Sequence, residues 1–179
     1  MQLPDTTAES YLLDVLIIGA GPLGLACGIE AKRRGLTARI VEKGGLVNSI
    51  IGYPTNLEFF STPELLEIGG HPLATSNYKP HREETIDYYQ SVAQQERLDV
   101  QLYERVERVD GYDGACAVAT SKGLHRASKV GVATGFFDQP NRLGVPGEDL
   151  PKVQHYFKEP YPYAGQRMAV IGAKNSAAK

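Results

Sequence analysis

The stretch that decides the fold runs Asp14-Val-Leu-Ile-Ile-Gly-Ala-Gly-Pro-Leu-Gly24 and is followed, after a helix-like segment, by Ile40-Val-Glu42. An apolar run leads into a G-x-G-x-x-G pattern, and the second apolar run ends in an acid about 20 residues further on. The order strand, glycine turn, helix, strand and acid is typical of the first unit of a dinucleotide-binding fold. The sequence therefore predicts an α/β domain with a parallel sheet.

Each glycine of this pattern has its own physical task. Gly19 allows the tight turn after the strand, Gly21 lets the backbone approach a pyrophosphate, and Gly24 lets the helix pack closely on the strand. The free N–H groups at the helix N-terminus favour the phosphates. Glu42 can accept both ribose hydroxyls of an adenosine and would repel a 2′-phosphate, which favours FAD or NAD(H) over NADP(H) in this first site. A glycine-rich turn of another α/β protein is the alternative.

Length and charge restrict the class of protein. A chain of 179 residues can form one domain with a sizeable core, or one domain and part of another. With 19 basic and 21 acidic residues, a net charge of −2 and no Lys/Arg run, nucleic acid is not an expected partner. Apolar runs such as Val15 to Ile18 are far too short to cross a bilayer. Because Met1 to Ser10 lacks a signal pattern, we expect a soluble, cytoplasmic protein without a membrane partner.

The two cysteines, Cys27 and Cys116, are expected to be small core residues. Cys27 would lie on the helix side that faces the sheet, and Cys116 in a strand. A dithiol pair is the sharper alternative, but the chain contains no C-x-x-C. No metal site is expected. The sequence does not fix the oligomeric state, and a homo-oligomer is compatible with it.

Periodicity predicts the remaining elements. Residues 43–80 contain many Gly and Pro and should be irregular, and such long segments often carry function. Tyr53, Phe59 and Phe60 in this segment either contact a flat cofactor ring or only pack the loop. The predicted elements are strands at 14–18, 37–41, 100–103 and 129–133, helices from Pro22 to before Gly35 and over 81–98, and a meander at 106–109, 115–120 and 124–127.

The predicted domains follow from these elements. Residues 1–12 would be a flexible leader, and 13–139 a Rossmann-like domain that combines a parallel sheet with an antiparallel meander. Residues 140–165 form a Pro-rich connector. Residues 166–179 would supply the first strand, at Arg167 to Ile171, and the glycine turn of a second Rossmann-like domain. The sequence therefore looks truncated, since a strand and half a turn cannot make a domain.

The full pattern resembles the thioredoxin reductase-like pyridine nucleotide–disulfide oxidoreductases, and more closely the YpdA-type bacillithiol disulfide reductases. The resemblance extends from about Asp14 to the last residue and is specific only when its segments are taken together. Those segments are Glu42-Lys43-Gly44, Ser49 with Tyr53-Pro54-Thr55, Phe59-Phe60-Ser61, Ala133-Thr134-Gly135, Leu150-Pro-Lys-Val-Gln-His155-Tyr-Phe-Lys158 and Gly172-Ala-Lys-Asn-Ser-Ala177.

The resemblance implies FAD in the first domain, NADPH in the second and a small-molecule disulfide as the electron acceptor. It implies hydride transfer from nicotinamide to flavin, a step whose chemistry the flavin supplies. No catalytic or substrate-contacting residue is recognisable. The implied FAD contacts are Gly19, Gly21, Pro22, Leu23, Gly24, Glu42, Lys43, Ser49, Tyr53, Val106 (near adenine), Ala133, Thr134 and Gly135, and the implied NADPH phosphate contacts are Gly172, Asn175 and Ser176.

Three features depart from the ordinary pattern. Leu23 stands where members of the family often carry a cysteine, so a thiol role at that position is in doubt. Lys174 replaces the middle glycine of the second turn, as the family itself often does. Most of the second domain and the Gly-Asp segment that normally completes the flavin site are absent, whereas two full domains need about 300 residues.

Two other functions compete with the reductase. A two-fingerprint flavin monooxygenase would share both glycine turns, although the Tyr53 and Phe59 loop resembles the reductases better. A non-catalytic remnant that binds a nucleotide, or nothing, is the other alternative. We expect the isolated chain to be inactive because the far side of the flavin site is missing.

Overall fold

A six-stranded mixed sheet organises the chain in a computed structural model that describes residues 12–174 and 177. The strand order is β3-β2-β1-β6-β5-β4. The predicted leader at 1–12 lies almost entirely outside the described residues. The elements are β1 (Leu12–Ile18), α1 (Pro22–Arg33), β2 (Ala38–Val41), α2 (Asn48–Gly52), α3 (Arg82–Gln95), β3 (Val100–Gln101), β4 (Val106–Tyr112), β5 (Ala115–Thr120) and β6 (Gly123–Val132), with 3-10 turns at Pro63–Leu65 and Tyr161–Tyr163.

Strand β1 pairs in parallel with β2 on one side and β6 on the other, and β2 pairs in parallel with β3. The predicted parallel βαβ unit is therefore confirmed. Pro22 begins α1 at a position where a missing N–H costs nothing. Gly35 follows the helix with φ +71°, the left-handed conformation that glycine adopts easily at this position. These boundaries agree with the sequence prediction.

The meander is confirmed, but its last strand was predicted wrongly as two separate strands. Residues 124–127 and 129–133 belong to one ten-residue strand, β6. Its first half pairs antiparallel with β5, and its second half pairs in parallel with β1. A strand has two hydrogen-bonding edges, so the same strand can close the meander and complete the parallel sheet. Ser128 lies within β6 and does not interrupt it.

The long segment 43–80 is irregular, as predicted, apart from α2 and one 3-10 turn. Helix α3 after it is capped at His81, whose backbone N–H donates to Glu84 Oε2 at 2.7 Å. Strand β3 was predicted to reach Tyr103 but stops at Gln101. Tyr103 adopts φ +53°, a left-handed conformation that a strand cannot continue through.

Two buried clusters lie on the two sides of the sheet's central strand. Alternate residues of a strand point to opposite faces, so Ile17 belongs to one cluster and Leu16 to the other. The larger cluster joins α1, α2 and α3 through Leu25, Ile50 and Tyr89. The smaller cluster contains Leu13, Leu16, Val41, Val118 and Ala127. The parallel strands thus carry the main core, and their carboxyl ends are the place where ligands bind in such sheets.

Two further predictions were wrong. The strand predicted at Arg167 to Ile171 is not formed, because a single strand finds no pairing partner there within the described residues. Cys27 is exposed rather than packed on the sheet, while Cys116 is half-buried in β5 as a free thiol. Within the ranges that the structure describes, no helix is long and apolar enough to cross a membrane.

Candidate functional site

The three fingerprint glycines meet very different surroundings. A Cβ on Gly24 would lie 1.9 Å from the Gly19 carbonyl oxygen, and a Cβ on Gly19 would lie 2.5 Å from the Ala133 carbonyl oxygen. These two glycines are therefore required for helix–strand and strand–strand packing. A Cβ on Gly21 would meet nothing within 4 Å. The space above Gly21 is open, as close approach of a pyrophosphate requires.

Backbone donors surround this open space. Leu25 N–H is the first amide of α1 that donates within the helix, to the Gly21 carbonyl at 2.9 Å. Pro22 has no N–H, so Leu23 and Gly24 carry the free amides of the first turn. Leu23 is 76% exposed, which places an apolar group beside the turn. The first turn can therefore bind an anion through its main chain.

Glu42 is the acid of the fingerprint, and its residue is only 7% exposed. Its Oε2 accepts the Ala20 N–H at 2.9 Å, and its Oε1 accepts the Gly44 N–H at 2.9 Å. These bonds hold the carboxylate against the glycine turn rather than in bulk water. An ionised carboxylate has about four acceptor sites, so both oxygens can still accept ribose hydroxyls.

The Ala133-Thr134-Gly135 segment lies directly beside the first glycine. The Ala133 N–H donates to the Ile18 carbonyl at 2.8 Å and extends the β1–β6 pairing by one bond. Thr134 and Gly135 are exposed, and Gly135 turns the chain with φ +65°. The structure therefore brings the main chain of the predicted A-T-G segment next to Gly19 of the fingerprint.

Helix α2 carries Ser49 and is followed directly by Tyr53, and both residues are half-buried. The Tyr53 ring packs against Phe59, with ring centroids 6.2 Å apart, and against Phe137 at 4.7 Å. Burial raises the pKa of Tyr53, so its phenol is neutral at physiological pH. These contacts support the packing interpretation of Tyr53 and Phe59. Phe60, by contrast, is largely exposed.

The other implied contacts surround the same region. Lys43 is exposed beside Glu42 and forms an ion pair with Asp138. Val106 begins β4 and packs against the smaller core cluster, two residues after Glu104, whose N–H donates to the Glu42 carbonyl at 2.8 Å. The segment that leads into β4 is thus bonded to the Glu42 main chain.

The second glycine turn does not join this site. Gly172 is exposed, and residues 167–174 make no hydrogen bond to the fingerprint region in the described part of the chain. Asn175 and Ser176 lie outside the described residues. The implied NADPH contacts therefore remain predictions.

The donors and acceptors that are present fit an adenine dinucleotide such as FAD. The first turn of α1 begins at the open space beside Gly21, and hydrogen bonds from Ala20 and Gly44 fix the Glu42 carboxylate against the same glycine turn. Two other cavities lie elsewhere. One, of about 160 Å³, lies at the C-terminal end of α1, and the other, of about 480 Å³, lies between α3 and residues 71–74. Neither cavity is lined by the fingerprint glycines.

Sequence reasoning missed several residues that shape the site. Asp138 pairs with Lys43, and Arg82 and Lys158 donate to main-chain carbonyls at the end of α2. Lys158 lies 107 positions from Ile51, its partner, so local pattern gave no signal. The resemblance did include Lys158 in a matching segment, but assigned it no role.

Comparison with known proteins agrees with this geometry. The chain is 45% identical over 163 residues to the bacilliredoxin reductase Bdr of Bacillus subtilis, covering 90% of this chain and 50% of that protein. The structure of the bacillithiol disulfide reductase Bdr (YpdA) of Staphylococcus aureus superposes with a TM-score of 0.91 at 41% identity, covering 93% of this chain and 52% of that one. A flavin monooxygenase variant of Stenotrophomonas maltophilia gives a TM-score of 0.84 at 29% identity, with coverage of 93% and 52%.

The chain spans about half the length of the curated relatives it matches. Residues 16–179 match the family described as pyridine nucleotide-disulphide oxidoreductase. This match includes the glycine turn, Glu42 and the A-T-G segment, which the structure brings together. The chain therefore belongs to the pyridine nucleotide-disulphide oxidoreductases.

Proposed function

We propose that this chain is the FAD-binding half of an NADPH-dependent reductase of a low-molecular-weight thiol disulfide of the bacillithiol type. The observation that carries the proposal is the fixed carboxylate of Glu42 beside the open space above Gly21. The similarity to the Bdr proteins of Bacillus subtilis and Staphylococcus aureus supports the choice of substrate class.

Each residue of the site has a binding or orienting task in this proposal. The free amides of the first α1 turn bind the pyrophosphate, and Glu42 accepts the ribose hydroxyls. Lys43 lies beside that ribose and Val106 beside the adenine. Ala133, Thr134 and Gly135 close over the cofactor through their main chain. Ser49 and Tyr53 approach the flavin end from α2.

The bound flavin would supply hydride and electron transfer between NADPH and the disulfide. This chain contributes position and environment, and the half-buried aromatic side chains near Tyr53 keep water from that end of the site. A second domain that begins near Arg167 would bind NADPH, with Gly172, Asn175 and Ser176 at its phosphates. We expect the 179-residue chain alone not to turn over NADPH.

Two measurements test the proposal. Titration of the purified chain with FAD, followed by quenching of flavin fluorescence, should show saturable binding with one FAD per chain. A chimera joins this chain to the second half of the Bacillus subtilis Bdr and should oxidise NADPH in the presence of bacillithiol disulfide. A colourless chimera that is inert to NADPH would show that the proposed function is wrong.

A flavin monooxygenase is the second candidate, favoured by the Stenotrophomonas maltophilia structure that covers 93% of this chain. The same chimera distinguishes the two. A monooxygenase would consume oxygen only when an organic substrate is added, whereas the reductase would oxidise NADPH with a disulfide under anaerobic conditions. Anaerobic turnover with the disulfide would therefore exclude the second candidate.

A further inference from the structure

Helix α2 lies beside the candidate cofactor space and is fixed at both ends. At its start, the Val47 N–H donates to the carbonyl of Ala20, inside the glycine turn, at 3.0 Å. At its end, Gly52 contacts the ring of Phe137, where a Cβ would lie 3.0 Å from the ring edge. Phe137 follows the A-T-G segment by two residues. Helix α2 therefore connects the glycine turn to Phe137, just beyond the A-T-G segment of the site.

Two cations from distant parts of the chain converge on the carbonyl end of this short helix. Lys158 Nζ donates to the carbonyls of Ile51 at 2.6 Å and Tyr53 at 3.1 Å. Arg82 donates through Nε to the Ile50 carbonyl at 3.1 Å and through Nη2 to the Ile51 carbonyl at 2.6 Å. The last carbonyls of a helix lack intrahelical partners, and the two cations supply donors to the carbonyls of Ile51 and Tyr53. The Ile50 carbonyl accepts the Tyr53 N–H at 3.0 Å as well as the Arg82 bond.

The main chain at Lys158 is attached to the same loop. Its carbonyl accepts the Thr55 N–H and the Thr55 hydroxyl, each at 3.0 Å. Two residues earlier, the Tyr156 hydroxyl donates to the Phe137 carbonyl at 2.6 Å, and its ring lies 5.0 Å from the Phe137 ring. The connector is thus bonded to both segments that border the flavin end of the site.

We propose that Lys158 is a positioning residue for the flavin: it fixes α2, and with it Ser49 and Tyr53, at the spacing that the bound cofactor requires. This inference rests on the proposed function, because it concerns the same FAD site. The two like charges of Lys158 and Arg82 share one carbonyl, and the repulsion between them is offset by four donated bonds. Loss of the Lys158 side chain leaves the Tyr53 carbonyl without its donor and removes the side-chain bonds between the connector and the end of α2, while the main-chain bonds to Thr55 remain.

The test compares Lys158→Met with Lys158→Arg and Lys152→Met in the full 179-residue chain. Lys152 is an exposed lysine of the same connector that makes no hydrogen bond in the described part of the chain, so its replacement removes an equal charge without the contact. Three quantities are measured: hydrogen exchange at residues 50–55 without cofactor, the FAD dissociation constant, and the visible absorption spectrum of bound FAD.

Lys158→Met should accelerate exchange at residues 50–55, raise the FAD dissociation constant at least about fivefold and shift the flavin spectrum. Lys158→Arg should restore most of the affinity, and Lys152→Met should behave as wild type. If Lys158→Met does not fold, Tyr156→Phe, which removes one hydroxyl bond, should produce a smaller change in the same direction.

Three outcomes would overturn the inference. Faster exchange with unchanged FAD affinity and spectrum would mean that Lys158 only stabilises the fold. Equal weakening by Lys152→Met, abolished by high salt, would mean a general charge effect. A chimera of the wild-type chain with the second half of the Bacillus subtilis Bdr that binds no FAD would contradict the proposed function itself, and this result is distinguishable because it is obtained without any substitution at Lys158.

Discussion

Single residues of the glycine turn divide into those that hold the fold and those that leave room for a ligand. We predict that Gly24→Ala destabilises the chain by about 1–3 kcal/mol or more, because its Cβ would lie 1.9 Å from the Gly19 carbonyl oxygen. Gly21→Ala should leave the ligand-free stability unchanged, since Gly21 has φ −76° and ψ 178° and open space around its Cα. Urea unfolding of each variant measures the difference.

Gly21→Ala should affect FAD binding even though it leaves the stability of the ligand-free chain unchanged. The methyl group of Gly21→Ala enters the space assigned to the pyrophosphate, so we expect FAD affinity to fall by roughly tenfold or more, about 1.4 kcal/mol. If Gly21→Ala binds FAD as wild type does, the open space above Gly21 is not the phosphate site.

Glu42 supports both the turn and the proposed ribose contact. Glu42→Gln replaces one acceptor oxygen by a donor, so either the Ala20 or the Gly44 N–H loses its partner. We expect a loss of about 1–3 kcal/mol in unfolding free energy and a weaker affinity for FAD. Thermal unfolding and FAD titration test this expectation. If the variant is stable and its FAD affinity is unchanged, Glu42 does not bind the ribose.

For single residues, the sequence predicted the roles that depend on local spacing. It missed the roles that depend on contacts between distant parts of the chain. Gly19, Gly24 and Glu42 follow from the motif. Cys27 was misplaced because it lies two residues from the buried Leu25, roughly 200° around the helix, and so faces away from the core. Lys158 could not be assigned a role because its partners lie more than a hundred positions away.

Among the secondary-structure elements, β6 shows that sequence periodicity does not predict which strands pair with one another. Strand pairing is a property of two segments, and the alternation in residues 123–132 does not tell whether one strand or two serve the neighbours β5 and β1. The strand predicted at 167–171 failed for the related reason that a strand needs a partner. Elements defined by local signals, such as α1 with its proline start and glycine end, were predicted within a few residues.

Glu104, two residues before β4, has a buried carboxylate that contacts the meander and should make the stability of the chain depend on pH. Burial acts to raise the pKa of Glu104, but hydrogen bonds from Thr120 at 2.5 Å and His125 at 2.7 Å outweigh it and hold the pKa below its ordinary value. A lowered folded-state pKa gives stability that is present above the unfolded value and is lost as pH falls through the folded value.

We therefore predict that the unfolding free energy of the chain falls as pH drops below about 4.5, and that Glu104→Gln flattens this dependence. The variant should also be less stable at neutral pH, by about 1–3 kcal/mol, because Thr120 and His125 lose a charged acceptor. Glu107→Gln, at an exposed position of β4, is the matched control. An equal acid slope in wild type and Glu104→Gln would contradict the prediction.

At the scale of the whole molecule, the last described residues leave apolar side chains exposed. Met168 and Ile171 are 57% and 78% exposed, although their segment was predicted as the first strand of a second sheet. The family match extends through this segment to residue 179, and the curated relatives are about twice as long as the matched region. Apolar side chains at a strand-like spacing gain burial only when a second sheet forms around them.

We predict that residues 167–171 become a protected strand when this chain is joined to the second half of the Bacillus subtilis Bdr. Hydrogen exchange at these amides should be fast in the 179-residue chain, where they make no sheet pairing, and slow by at least about a hundredfold in the chimera. Residues 15–18, which pair with β2 and β6 in this structure, should be protected in both proteins and serve as the control. Fast exchange at 167–171 in a chimera that binds NADPH would show that the second domain begins elsewhere, because a Rossmann sheet requires its first strand to be hydrogen-bonded.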